Sequence, residues 1–257
     1  MLEMFSVSLF GKDRKIRVYL PKSYQHGLSR RYPVLYLHDG QNVFGNEEAI
    51  NGVSLQLHQY LDDQELDLLV VAIDQNTEGE ERVNEYCPWK NGDFTEKLIG
   101  SIPTSGGKGK EYVKFIVGNL KPHIDHTYRT NPEEAYMAGI SLGGLISTYA
   151  ACSYPHIFKR VAAISAAYYR NQEEIENIIT KSDLSSLEKI YLDCGTAEAG
   201  ENERVSELFL DSNQTVFQLL KTKVKQTEFR KIEGALHNYE TFKRRFPDVI
   251  KFLTSET

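Results

Sequence analysis

Apolar positions along this chain gather into short runs, separated by longer stretches in which they recur at helical spacing. Strands are predicted at residues 15–20, closed by Pro21, and at 33–38, which leads into Asp39-Gly40. The run 66–73 is apolar apart from Asp67, as a strand covered on both faces requires. Further strands are predicted at 135–140, 160–166, 189–194 and 227–233. Between them, Tyr112, Phe115, Ile116, Leu120 and Ile124 fall on one helical face and predict a helix over 111–125. Residues 142–154 are rich in Leu, Ile and Ala, and 203–221 are amphipathic; both read as helices, as does 238–253. Strands alternating with helices predict an α/β class with a mostly parallel central sheet and helices on both faces.

Two stretches interrupt the alternation, near 75–110 and 168–186, and long irregular segments of this kind are expected to shape a substrate pocket. No Pro/Gly/Ser-rich linker divides the chain, so residues 1–257 are expected to form one domain, a size that a single α/β core can fill. The formal charge of −6 argues against nucleic acid or an anionic membrane as partner. The first twenty residues bring charges at Lys12, Asp13, Arg14 and Lys15 where a signal peptide would carry an apolar run. No apolar run approaches the length of a bilayer span. Cys87, Cys152 and Cys194 are odd in number and far apart, which points to reduced thiols and a cytoplasmic location. Homo-oligomer formation is compatible with all of this.

The candidate chemistry begins at Gly139-Ile140-Ser141-Leu142-Gly143, a Gly-x-Ser-x-Gly pattern. Alone the pattern is weakly specific; here it follows a predicted strand and opens a predicted helix, the context a nucleophile elbow needs. The helix N-terminus favours the negative charge that develops in acyl transfer. A serine hydroxyl needs a base. His237 is expected to supply it, because it lies late in the chain, between the last strand and the last helix. The acid should follow the 189–194 strand. Glu198 is favoured over Asp193, which lies inside that strand, and over Glu201, which lies further along the loop. Two oxyanion donors are expected from the backbone N–H groups of Leu142 and of Gln41, the latter in the Asp39-Gly40-Gln41 turn. Asp39, Tyr86 and Trp89 are expected to contact substrate. Gly106-Gly107-Lys108-Gly109-Lys110 fails the P-loop pattern, and His123 with His126 lacks a carboxylate that would complete a zinc site, so no cofactor and no metal are expected.

Together these residues resemble the putative-esterase family of α/β-hydrolases, with its esterase D-like, feruloyl-esterase-like and enterochelin-esterase-like members. The resemblance runs through Tyr32–Phe44, Asn84-Glu85-Tyr86-Cys87-Pro88-Trp89, Gly106–Tyr112, Leu120–Asp125, Gly139–Gly144, Cys194-Gly195-Thr196 and Leu236-His237-Asn238. It implies an α/β-hydrolase fold and a cofactor-free serine carboxylic-ester hydrolase acting on a small-molecule ester. The implied triad is Ser141, His237 and Glu198, working through an acyl-enzyme. Many relatives look like Gly-Thr-x-Asp at the acid, whereas this chain has Gly195-Thr196-Ala197-Glu198. Two alternatives keep the scaffold: an acyltransferase that passes the acyl group to an alcohol or sugar, and a non-catalytic binding protein. A long-lived acyl-enzyme shielded from water would distinguish the acyltransferase, and the most informative experiment is a panel of p-nitrophenyl, aryl, sugar and trilactone esters run with a Ser141→Ala control.

Overall fold

The fold was analysed in a computed structural model that describes residues 1–26 and 29–256. Its eight strands are β1 (Leu2–Leu9), β2 (Lys12–Tyr19), β3 (Tyr32–His38), β4 (Leu69–Ile73), β5 (Thr130–Ile140), β6 (Phe158–Ile164), β7 (Lys189–Gly195) and β8 (Gln226–Ile232). They form one sheet in the order β1-β2-β4-β3-β5-β6-β7-β8. β2 is antiparallel to both β1 and β4, and every pairing from β4 to β8 is parallel.

Helices cover both faces. They are α1 (Leu57–Asp63), α2 (Glu81–Tyr86), α3 (Asp93–Ile99), α4 (Gly109–Phe115), α5 (Lys121–Thr127), α6 (Leu142–Ser153), α7 (Gln172–Lys181), α8 (Glu203–Lys221) and α9 (Tyr239–Thr254). The period-two geometry of a strand divides the central residues between two cores. Val34, Tyr36, Leu69 and Val71 pack into the core that holds Leu145 of α6 and Val216 of α8. Leu35, Leu37, Val70 and Ala72 face Leu57 of α1 and Phe246 of α9 instead. Because both faces are buried, the central strands β3 and β4 read as nearly unbroken apolar runs. This is an α/β-hydrolase fold.

Three sequence expectations change. The helix expected over 111–125 is α4 and α5 joined by a π-helical turn, Ile116–Leu120. Pro122, at the start of α5, has no N–H and its ring crowds the preceding turn, so an unmodified α-helix cannot pass through it. Both stretches expected to be irregular contain helices: α2 and α3 fall within 75–110, and α7, which buries Ile175 and Ile179 one turn apart, falls within 168–186. β1 was not expected, because most of it is solvated; it is held by a two-residue turn, Phe10 (φ 53°) and Gly11 (φ 73°). Both residues are left-handed, as a type I′ hairpin requires.

Candidate active site

Five connections at the carboxyl edge of the parallel strands converge, where ligands bind in open α/β sheets. Asp39 follows β3, Ser141 follows β5 and Ser165 follows β6; Glu198 lies in the loop after β7 and His237 in the loop after β8. The first three take positive φ, at 58°, 58° and 42°, a backbone that non-glycine residues adopt at a cost of roughly 1–3 kcal/mol each.

Ser141 (φ 58°, ψ −119°) caps α6 and forms the elbow. A Cβ on Gly139 would meet the Gly143 carbonyl carbon at 2.3 Å, so the turn closes only with glycine there. The elbow is tied to β6: Ser141 N–H donates to the Ile164 carbonyl at 2.9 Å, and Ala167 N–H donates to the Ser141 carbonyl at 2.9 Å.

Ser141 and His237 line one cleft of about 340 Å³ together with Asp39 and Arg82. Ile50, Val53, Ile140 and Phe242 give it an apolar side, while Asn51, Asn238 and Glu240 add polar groups. The His237 ring stands edge-on to Phe209 and Phe242, with centroids 5.4 and 5.1 Å away.

Glu198 is buried, and its Oε2 lies 2.6 Å from His237 Nδ1. The His237 N–H also donates to the Glu198 carbonyl at 3.3 Å. With the carboxylate ionised, Nδ1 carries the hydrogen and Nε2 keeps its lone pair. The second oxygen, Oε1, accepts from the Gly195 N–H and from the Ser165 hydroxyl, each at 2.5 Å. Burial opposes the charge, but His237, Ser165 and Gly195 together hold the carboxyl below its ordinary value. Glu198 therefore contributes stability above the ordinary carboxylate range and loses that contribution as the pH falls through the lowered value. The β7 and β8 loops are laced together: Thr196 N–H donates to the Ile232 carbonyl at 3.0 Å, and Ala197 N–H to that of Ala235 at 3.2 Å. Gly195 permits this approach, since a Cβ there would come within 2.2 Å of the Ala235 oxygen.

Asp193 is fully buried and pairs with Arg245 of α9 at 2.8 Å, while it is Glu198 that contacts the His237 ring. Burial pushes its carboxyl up to about 6 against the pull of Arg245. Glu201, whose carbonyl accepts from the Glu203 N–H, is exposed. Arg245→Met is expected to lower the unfolding free energy by about 3–5 kcal/mol, because it strands a buried carboxyl without its cation. Urea denaturation measures this; a loss below about 1 kcal/mol would show the pair to be dispensable.

Gln41 and Leu142 each lie in the first turn of a helical segment, directly after the adjacent strands β3 and β5. N–H groups in that position have no intrahelical acceptor. The Gln41 carboxamide anchors its turn, donating to the Gln75 carbonyl and accepting from the Gln75 N–H, both at 2.9 Å.

The other three expected substrate contacts divide. Asp39 lines the cleft, with its carboxylate gripped by Arg82 in two hydrogen bonds of 2.8 and 2.9 Å. Tyr86 does not line it: α2 turns this residue into the core, where its hydroxyl accepts from the Asp39 N–H at 3.2 Å. Trp89 does not line it either. It packs edge-on against Tyr149 at 5.4 Å, beneath the Lys110 ammonium. Of the stretch 75–110, Gln75 and Arg82 line the cleft; of 168–186, none of the described residues does. Sequence reasoning missed Arg82, Ser165, Tyr239 and Phe242, which no local pattern marks.

Against known proteins, the family described as "Putative esterase" matches residues 6–253. The chain belongs to this esterase family. It is accordingly a carboxylic-ester hydrolase. Among its relatives, the uncharacterized protein YbbA of Bacillus subtilis (strain 168) is 28% identical over 250 residues, covering 94% of this chain and 92% of YbbA. Among solved structures, siderophore hydrolase EstA from Aspergillus nidulans superposes with a TM-score of 0.80 at 18% identity, covering 98% of this chain and 93% of EstA. A ferulic acid esterase superposes with a TM-score of 0.71 at 19% identity, covering 99% and 98%. These structures share the esterase's fold. No helix among its described residues is long and apolar enough to cross a membrane.

Proposed function

We propose that this esterase cleaves small-molecule carboxylic esters by nucleophilic attack of Ser141, with His237 as base and Glu198 as the acid that orients it. One observation carries the reading: Glu198 holds His237 Nδ1 at 2.6 Å in the cleft that the Ser141 elbow opens into. His237 Nε2 takes the Ser141 proton as Oγ bonds to the ester carbonyl carbon. The resulting oxyanion is stabilised by the N–H groups of Leu142 and Gln41. His237 then returns the proton to the departing alcohol, leaving an acyl-enzyme. Water, deprotonated by the same imidazole, attacks the acyl group and frees Ser141.

The cleft is lined by both apolar and polar side chains, which suits an ester joining an aromatic or alkyl group to a hydrogen-bonding one. The similarity to a siderophore hydrolase and a ferulic acid esterase makes trilactone and aryl esters the first substrates to try. A single domain spanning the chain fits the continuous sheet. Three free, buried cysteines suit a cytoplasmic setting.

The test combines a fluorophosphonate probe with turnover of aryl, sugar and trilactone esters. Labelling is expected at Ser141 and at no other residue; labelling elsewhere, with Ser141 untouched, would reject the mechanism. Glu198→Gln is expected to lower turnover by up to roughly four orders of magnitude, because an amide can present the wrong hydrogen-bonding partner to Nδ1. Asp193→Asn and Glu201→Gln are expected to cost far less. A Glu198→Gln enzyme with wild-type kcat would remove Glu198 from the triad.

A further inference from the structure

Resting on that triad reading, we propose that Ser165 is a positioning residue, whose hydroxyl donates in one direction only and fixes Glu198 behind His237. Ser165 is fully buried and follows the last residue of β6. Its N–H donates to the Asp193 carbonyl at 2.9 Å. A serine hydroxyl has one hydrogen to give and two lone-pair sites to receive. Arg245 donates to Ser165 Oγ from Nη1 at 3.2 Å and from Nη2 at 3.1 Å, and a guanidinium can only donate. Both receiving sites are thereby filled. The single hydroxyl hydrogen is left for Glu198 Oε1, 2.5 Å away.

Arg245 is itself held, by Asp193 Oδ1 at 2.8 Å and by the Thr241 carbonyl at 3.3 Å. Asp193 also balances its charge, so the guanidinium sets the direction of the Ser165 hydroxyl while the Asp193–Arg245 pair adds no net charge beside the triad. The device answers a specific difficulty. Glutamate has one more rotatable bond than the commoner aspartate, and its terminal torsion is soft. Pinning Oε1 between Ser165 and Gly195 leaves Oε2 only one direction, towards His237.

The backbone points the same way. At φ 42° a glycine would sit without the steric cost that serine carries. The hydroxyl is what serine supplies in exchange for that strain. Ser165→Gly therefore separates the two contributions, since it removes the donor while easing the backbone.

The experiment compares wild type, Ser165→Gly, Ser165→Ala and Ser141→Ala of the full chain, with p-nitrophenyl acetate as substrate and melting temperature as the control. Ser165→Gly is expected to melt no lower than Ser165→Ala, yet to lose about ten- to thirtyfold in kcat, the scale of one hydrogen bond to a charged group. KM is expected to stay within about twofold, since the substrate's own contacts are untouched. Fluorophosphonate labelling of Ser141 should slow in proportion to kcat. If Ser165→Gly unfolds, Ser165→Ala carries the same kinetic expectation. Wild-type kcat in the Ser165 variants, or a loss confined to KM, overturns the positioning role while an inactive Ser141→Ala leaves the triad standing. An active Ser141→Ala overturns the triad reading itself.

Discussion

Ser141→Ala is expected to lower ester turnover by on the order of 10⁶-fold while the protein folds as before, the scale seen when subtilisin loses its nucleophile. Alanine keeps the Cβ, so the elbow at φ 58° is no more strained than with serine. The hydrogen bonds that tie residue 141 to the β6 side are all backbone bonds and survive the change. What disappears is the Oγ atom alone. The proposed oxyanion donors, the N–H groups of Leu142 and Gln41, remain, and on that proposal a residual rate roughly 10³–10⁴ above water is expected. Initial rates with p-nitrophenyl esters and a thermal melt decide the matter together. A melting temperature near wild type with a collapsed rate supports the nucleophile; an unreduced rate removes it.

His237→Ala should be nearly as damaging, on the order of 10⁵–10⁶-fold, because nucleophile and base act as a unit. The same logic makes the double variant no slower than either single one. The side chain is about 31% exposed and its ring stands edge-on to Phe209 and Phe242, so the fold should tolerate its loss. Of the other histidines, His38 is the one most easily confused with a base. It is buried beneath Asp39, with Nδ1 2.9 Å from the Tyr112 hydroxyl, and burial lowers it to about 4. If a His38 variant were dead by an intact fold while His237→Ala kept full activity, the base would have been assigned wrongly.

The central strands were legible because burial on both faces leaves an unbroken apolar signature, as in β3 and β4. Ser141 could be found because its motif lies between a strand and a helix. The loops after β7 and β8 were legible from the order of strands along the chain, and the structure brings Glu198 and His237 of those loops to 2.6 Å of each other. The rest failed for physical reasons. β1 is an edge strand whose exposed Leu2 and Met4 give no inward run. Tyr86 and Trp89 were expected in the cleft because aromatic residues in a long loop can face either way, and composition does not say which. Arg82 meets Asp39 across 43 residues, and Arg245 meets Ser165 across 80. Pairings at such separations leave no periodicity to read. Ser165 was further hidden by falling inside a predicted strand, 160–166, that in fact ends one residue before it.

The positive φ at Ser141 has a consequence for anyone who tries to make this enzyme hardier. Glycine at 141 would relax the elbow and should raise the melting temperature even as it abolishes turnover. A library screened for heat resistance alone would therefore enrich inactive molecules, and the same pressure would act at 165. Stability–activity trade-offs of this kind are general where a catalytic residue occupies a costly backbone. On the proposed roles, the conflict here falls on residues at the ends of parallel strands, Ser141 and Ser165, both at positive φ. Stabilising changes placed at the opposite edge of the sheet, or on the exposed strand β1, should escape it, so a heat-resistant active variant would be sought there.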